Sequence, residues 1–437
     1  MTRVATNAGK ACGVAYALAL LALTAVVGVS AYLRPPNVED IATYYMGGVM
    51  VREGKWDALY PTNTSGTPYA IFDGATLPSA QLDRARELGV PSFTPYLHPP
   101  WNALMWAPVS MVPFHILLPM YIGFCVLCGW ACAVLAGRAY RMLAGRPTWT
   151  EAALVLVCAV SPLVYRSVRV TNVSTVVALC LAVGLFGTMA RQSASGKTVR
   201  VNTRDARDTL AIWLSGILKY AGAALIPLLV LTHRWRVILG VGLLGIVAIG
   251  VSVALVPGEV WSYYLGTVAP SLPRSSPMPT NQSIWGLILR ATGEPITPST
   301  RRAVSAIHVL LWVVVIGLMW RHRKCDWRRP ELACAAFAAP TCLMLTFAPV
   351  MWEHYLMYLL PLFGWVWWEA SRSRFRHVLR VVVVVGLFPA WGALPALTWF
   401  RPVEPFGTSL LLSVVLIFCV AVVRLSRGPI DVADRAA

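Results

Sequence analysis

The chain alternates long apolar runs with short polar or basic breaks, the pattern of helices that cross a bilayer, for which about 20 apolar residues suffice. The first run, 11–33, follows Arg3 and Lys10 and reads as an uncleaved signal anchor with the amino terminus in the cytoplasm. Further crossings are predicted over 115–136, over the short pair 151–168 and 171–190, and over 237–256 and 303–320. Three more lie within 332–396, and the last spans 406–423, leaving the carboxyl terminus inside. The result is an all-α polytopic membrane protein with about 10–12 transmembrane helices.

Two kinds of stretch break this pattern. Residues 34–101 and 257–302 mix polar groups, Pro, Gly and aromatics, and read as large outer loops. Within the first, 41–52 has helical spacing and is expected to lie along the membrane interface, with Tyr44, Tyr45 and Trp56 as anchors at headgroup depth. The segment 210–231 is interrupted by Gly216, Lys219, Gly222 and Pro227 and is followed at once by Arg234-Trp235-Arg236. Both flanks are basic and belong in the cytoplasm, so a single crossing violates the charge rule. A re-entrant hairpin with Lys219 near its tip satisfies it, provided the tip lines a cavity. A single domain, 1–437, holds all of this, with the two outer loops forming the active-site face.

Composition narrows the partners. Of 437 residues 57% are hydrophobic and only 13% charged, which excludes an ordinary soluble domain and makes the lipid bilayer the first partner. A net charge of +18 would suit nucleic acid if it were gathered on one soluble face, but Lys and Arg fall in short runs between apolar segments. No nucleic acid is expected. The ten cysteines lie in apolar segments or in a basic loop assigned to the cytoplasm, so no disulfide framework is implied. Cys125, Cys128 and Cys132 share a helical stripe without a His or carboxylate, and read as buried structural residues rather than metal ligands. No cofactor is expected, and no cluster of acidic ligands indicates a metal, although substrate oxygens could complete a weak site.

With this topology the outer face collects Glu39 and Asp40, Tyr96-Leu97-His98-Pro99-Pro100, Arg166, Arg169 and Asn172, Asn281-Gln282-Ser283, Arg290, and Trp352-Glu353-His354-Tyr355. A transport path needs polar groups at the bilayer midplane, and only Lys219 fits there. The outer set suits displacement on a lipid-linked substrate: a carboxylate base, a His partner, amides for hydroxyls, and Arg or Lys for phosphate. A polyprenyl phosphate is a natural leaving group at that surface, and no glycine-rich loop or Asp-x-Asp triplet is present to cradle a nucleotide.

Asp40, close after the first apolar run, is the candidate base, and His354 orients it or the acceptor, or caps locally. Glu353 is a second base, a substrate contact, or a solvated carboxylate. Asn281 and Gln282 suit sugar hydroxyls, against ordinary turn chemistry as their other role. Lys219, Arg166, Arg169 and Arg290 are candidate partners of the donor phosphate, with snorkelling to headgroups as the competing role.

These residues resemble the integral-membrane GT-C glycosyltransferases and, within them, glycosyltransferase family 87, which includes polyprenyl-phosphate-mannose-dependent mannosyltransferases. The resemblance rests on Asp40 with Tyr44, Gly54 with Leu59-Tyr60, Tyr96-Leu97-His98-Pro99-Pro100 leading to Pro108, and Gly216 with Lys219 and Pro227. Asn281-Gln282-Ser283 with Gly286 and Arg290, and Trp352 with His354, weigh most. Two departures bear on sugar or acceptor identity: His98 stands where the family commonly has Tyr, and Thr171-Asn172-Val173-Ser174 replaces its Gly-Gln-x-Asn.

The resemblance implies a GT-C fold with outer-face interfacial helices and an inverting hexosyl transfer, with mannose the sugar, from a polyprenyl-phosphate carrier to a glycolipid or polysaccharide acceptor. Asp40 is then the general base, with Tyr44 and His98 in substrate binding. The enzyme would sit in the plasma (inner) membrane with its active site outside the cytoplasm. The rival readings are a transporter or flippase of lipid-linked glycans, and a ligase or polymerase that moves a whole lipid-linked oligosaccharide.

Overall fold

A computed structural model describes residues 2–33, 36, 38–61, 77–189, 201–271, 275, 281–372 and 409–428. These residues form helices and turns without a strand; one isolated antiparallel bridge joins Asn281 to Trp352. In chain order the helices are α1 (Thr2–Leu33), α2 (Glu39–Arg52), α3 (Ser79–Glu87), α4 (Pro100–Trp106), α5 (Phe114–Ala144), α6 (Trp149–Ala159), α7 (Pro162–Arg169) and α8 (Ser174–Met189). They continue as α9 (Val201–Lys219), α10 (Ile226–Leu231), α11 (Trp235–Leu255), α12 (Gly258–Tyr263), α13 (Ala269–Ser271), α14 (Ile284–Thr292), α15 (Pro298–Arg321), α16 (Pro330–Phe347), α17 (Phe363–Arg372) and α18 (Ser409–Arg427).

Among the described residues six stretches are long and apolar enough to cross a bilayer: Asn7–Ala31, Phe114–Ala144, Trp149–Arg169, Trp235–Leu255, Pro298–Arg321 and Pro330–Phe347. This is an all-α, multi-pass membrane protein. Helices α11 and α15 turn Leu239, Ile246 and Val309 outward at 71, 70 and 62% exposure, an apolar surface suited to lipid rather than water. The six fall short of the crossings counted in the sequence partly because α8 is a shorter apolar helix of 16 residues. The stretch 373–408 lies outside the described residues, and with it much of the expected crossings after 332.

Helix α5 is the hub, packing against α1, α6, α8 and α17. It runs past the expected end at 136 to a stop at Gly145, whose φ of 72° is the left-handed conformation that closes a helix. Helices α6 and α7 part at Ser161-Pro162, because Pro162 has no N–H to continue the ladder yet suits the first turn of α7.

The hairpin expected around Lys219 is present as an excursion and return. Helix α9 ends at Lys219, Tyr220 takes a positive φ of 55°, and a 3-10 turn (Ala221–Leu225) leads into α10. The return is fixed by Arg234, whose Nη2 lies 2.7 Å from both Asp205 Oδ1 and Asp208 Oδ2 near the start of α9. Arg234 and Asp208 are each 1% exposed in their side chains, so the guanidinium closes the base of the hairpin in the protein interior while Lys219 stands at the far end.

The helix expected along the interface is placed differently. In α2 every residue from Ile41 to Val51 is buried, and Tyr44 and Tyr45 are core side chains rather than headgroup anchors. Tyr44 stacks on Trp106 at 5.2 Å, and Tyr45 meets Phe114 edge-on at the same separation. Two consecutive glycines explain the depth. A Cβ on Gly47 would fall 2.6 Å from the Tyr96 ring, and one on Gly48 would fall 2.5 Å from the Trp106 carbonyl oxygen. Local helical periodicity does not register such tight cover by another segment.

Candidate active site

The site is built where the start of α2, the α7–α8 turn, the hairpin tip and the chain after α16 converge. Asp40 lies in the first turn of α2, where the helix dipole favours a carboxylate. It is half-buried, and its Oδ2 accepts a hydrogen bond from Asn172 Nδ2 at 2.8 Å. Burial raises its pKa above the ordinary carboxylate value, while the Lys219 charge and the Asn172 bond pull it back down.

The α7–α8 turn aims Asn172. Thr171 adopts a φ of 53°, a conformation that costs a β-branched residue about 1–3 kcal/mol. Asn172 Oδ1 then accepts from the Ser174 N–H at 3.0 Å and the Ser174 hydroxyl at 2.7 Å, at the start of α8. With its oxygen so engaged, the amide has only its Nδ2 side to offer Asp40.

Lys219 occupies the centre. Its Nζ donates to Tyr355 Oη at 3.2 Å and stands 5.0 Å from that ring's centroid. Its charge acts on Asp40, Tyr44, His98 and His354 alike. Tyr355 and Tyr358 are stacked at 5.9 Å with planes 7° apart, because both belong to a 3-10 helix (Glu353–Leu362) in which residues three apart eclipse.

On the other side of Asp40, the Tyr44 ring lies 4.8 Å from His98. Burial and then Lys219 lower the His98 pKa to about 3, so this imidazole is neutral at physiological pH. Burial raises the Tyr44 hydroxyl to about 12, which leaves it protonated. The Tyr60 hydroxyl donates to the His98 carbonyl at 2.8 Å and holds the Leu97-His98-Pro99 turn in place.

His354 stands beyond Tyr355, their rings meeting edge-on at 4.7 Å. It is 7% exposed, its Nε2 has no hydrogen-bond partner among the described residues, and burial, then Lys219 and Arg166, hold it neutral. It makes no hydrogen bond to Asp40; that orienting contact belongs to Asn172. Arg166 is therefore near the site through His354, whereas Arg169, at the end of α7, makes no hydrogen bond or ion pair among the described residues.

Asn281 departs from its expected use. It is fully buried, with Oδ1 accepting the Met351 N–H at 3.0 Å and the Ser283 N–H at 3.2 Å, and Nδ2 donating to Ser275 Oγ at 3.0 Å. The Gln282 N–H adds a 2.7 Å bond to the Met351 carbonyl, and Arg290 Nη1 donates to the Asn281 carbonyl at 2.8 Å. The polar loop thus clamps the backbone that presents His354 and Tyr355. The Glu353 side chain lies outside the described residues.

Among the described residues no three His, Cys, Asp or Glu side chains cluster as metal ligands do. Two contributors, Asn172 and Tyr355, were seen in the sequence only as members of the outer polar set. The departure at Thr171-Asn172-Val173-Ser174 was the signal that marked the first.

No curated protein and no solved structure matches the chain. The family model described as Glycosyltransferase family 87 matches residues 96–349, a stretch that holds His98, Asn172, Lys219 and the Asn281 loop, with Asp40 and His354 on either side of it. That match covers more than half of a multi-pass helical chain, and the chain belongs to glycosyltransferase family 87.

Proposed function

We propose that this membrane glycosyltransferase moves a hexose, with mannose the first choice, from a polyprenyl-phosphate carrier to a hydroxyl of a glycolipid or polysaccharide acceptor. The observation that carries the reading is one oriented carboxylate, Asp40, within electrostatic reach of the Lys219 cation, beside Tyr44, His98 and Tyr355. Asp40 takes the proton of the acceptor hydroxyl as that oxygen bonds to the anomeric carbon. The bond from that carbon to the phosphate oxygen breaks on the opposite face, inverting the centre. Lys219 faces the charge that gathers on the departing phosphate. The phosphate leaves as an anion and needs no proton, so one carboxylate suffices and no cofactor is called for.

Asn172 fixes the carboxylate, and neutral His354 and His98 offer hydrogen-bonding edges to sugar or acceptor hydroxyls. Arg166 is the nearer of the additional phosphate partners, while Arg290 and Asn281 act on the backbone of the loop. The whole chain works as one unit in the plasma membrane, termini in the cytoplasm and the site outside it. That reading rests on the basic loops and on the hairpin whose basic flanks meet at one end. Family membership favours transfer over transport.

The test is a donor panel with the full-length protein in nanodiscs: labelled polyprenyl-phosphate mannose, the glucose, galactose and arabinose carriers, and GDP-mannose. Transfer from a polyprenyl carrier with release of polyprenyl phosphate is the expected result. Transfer from GDP-mannose alone would overturn the donor class.

A further inference from the structure

At the end of the molecule away from Asp40, α5, α8 and α9 border an open cavity of about 660 Å³. Arg138 and Arg141, three apart on one face of α5, line it together with Arg146 and, from α9, Arg207. Leu135 and Phe186 supply apolar wall. The same helices connect it to the candidate active site: α8 runs from Ser174 to Phe186, and α9 from Lys219 back to Arg207. Each path is roughly 18 Å at about 1.5 Å per residue. The cavity is therefore a separate place.

Its charge is compensated only in part, by buried Glu151 and the Tyr16 hydroxyl that donates to it near Arg138 and Arg141. Arg207 Nη2 pairs with Asp208 Oδ1 at 2.8 Å, but no carboxylate forms a salt bridge with Arg138, Arg141 or Arg146 among the described residues. All four arginines are exposed. A preference for basic residues on one membrane face explains their presence there, not their convergence on one concave site beside apolar wall. Guanidinium forks match phosphate oxygens, and the apolar wall suits the chain that follows a lipid phosphate.

We propose that this cavity binds the phosphate-bearing headgroup of an anionic lipid. A soluble phosphorylated compound offers the same phosphate but nothing for Leu135 and Phe186 to cover. The site is independent of the transfer chemistry, and its occupant is recognised by charge at the rim and acyl chain at the wall.

The test is native mass spectrometry of the full-length protein with phosphatidylglycerol or phosphatidylcholine of matched chains. Wild-type protein is expected to retain phosphatidylglycerol in preference. The variant Arg138→Gln/Arg141→Gln/Arg146→Gln should bind it about fivefold more weakly for each arginine removed. A charge-matched control, Arg321→Gln/Arg323→Gln/Lys324→Gln, changes an exposed basic cluster elsewhere and should leave retention unchanged. Equal retention by the cavity variant, or equal loss in the control, overturns the site. Displacement of phosphatidylglycerol by excess glycerol 3-phosphate overturns the lipid in favour of a soluble phosphate.

Discussion

Asn172 and Asp40, 132 positions apart, are joined by a 2.8 Å hydrogen bond whose direction is set by Ser174 holding the other side of the amide. The bond favours ionised Asp40, so its loss pushes the carboxyl further up. In Asn172→Ala the acid limb of the pH–rate profile should move to higher pH, because less of the base is ionised at a given low pH. Turnover should fall about tenfold or more, the worth of a hydrogen bond to a charged group. A pH–rate profile in nanodiscs checks this; an unmoved acid limb would separate Asn172 from the base.

Lys219 acts on two things at once. Lys219→Ala removes the charge proposed to face the phosphate and the main electrostatic influence lowering Asp40. Turnover should fall about 100-fold to 1000-fold, with the acid limb again shifted to higher pH. Unchanged turnover and donor affinity would end the assignment.

Asn281 is a structural clamp, and its loss should be read in stability. Asn281→Ala strands the Met351 and Ser283 N–H groups in a buried position, at a cost of about 1–3 kcal/mol. Thermal unfolding in detergent should show a lower Tm, with activity falling because His354 and Tyr355 lose their support. A direct sugar contact would instead raise KM at unchanged Tm.

The hairpin base gives the largest stability effect. Arg234→Met leaves buried Asp208 with only the exposed Arg207 as a partner and removes the pair with Asp205, which costs up to about 3–5 kcal/mol. Because the pair is 1% exposed, raising salt should not reproduce the loss. A small or salt-mimicked change in Tm would contradict the buried closure.

Much of this was legible in the sequence, and the physical reasons for the rest are specific. Charge on both flanks of 210–231 pointed to the hairpin; Asp40, Lys219 and His354 were named from their residue types and places in the chain, and His98 from the family resemblance. Asn172 was not assigned its role, because a contact 132 residues away leaves no periodic trace. Tyr44 and Tyr45 read as interfacial anchors because helical spacing carries no record of what Gly47 and Gly48 admit against α2. Asn281 looked like a ligand-binding amide because sequence shows its chemistry, not that its bonds are already made inside the protein.

The most direct measurement is transfer of labelled sugar from the polyprenyl-phosphate donor by Asp40→Asn beside wild type at equal expression. Asp40 is raised above its ordinary value, so ionising it costs stability as pH climbs through that value. The amide variant should therefore fold at least as well at neutral pH. The expected result is a fall in turnover of about 100-fold to 10,000-fold with donor binding retained. Full turnover in a folded Asp40→Asn protein would contradict the account and return the search for a base to Glu39 and Glu353.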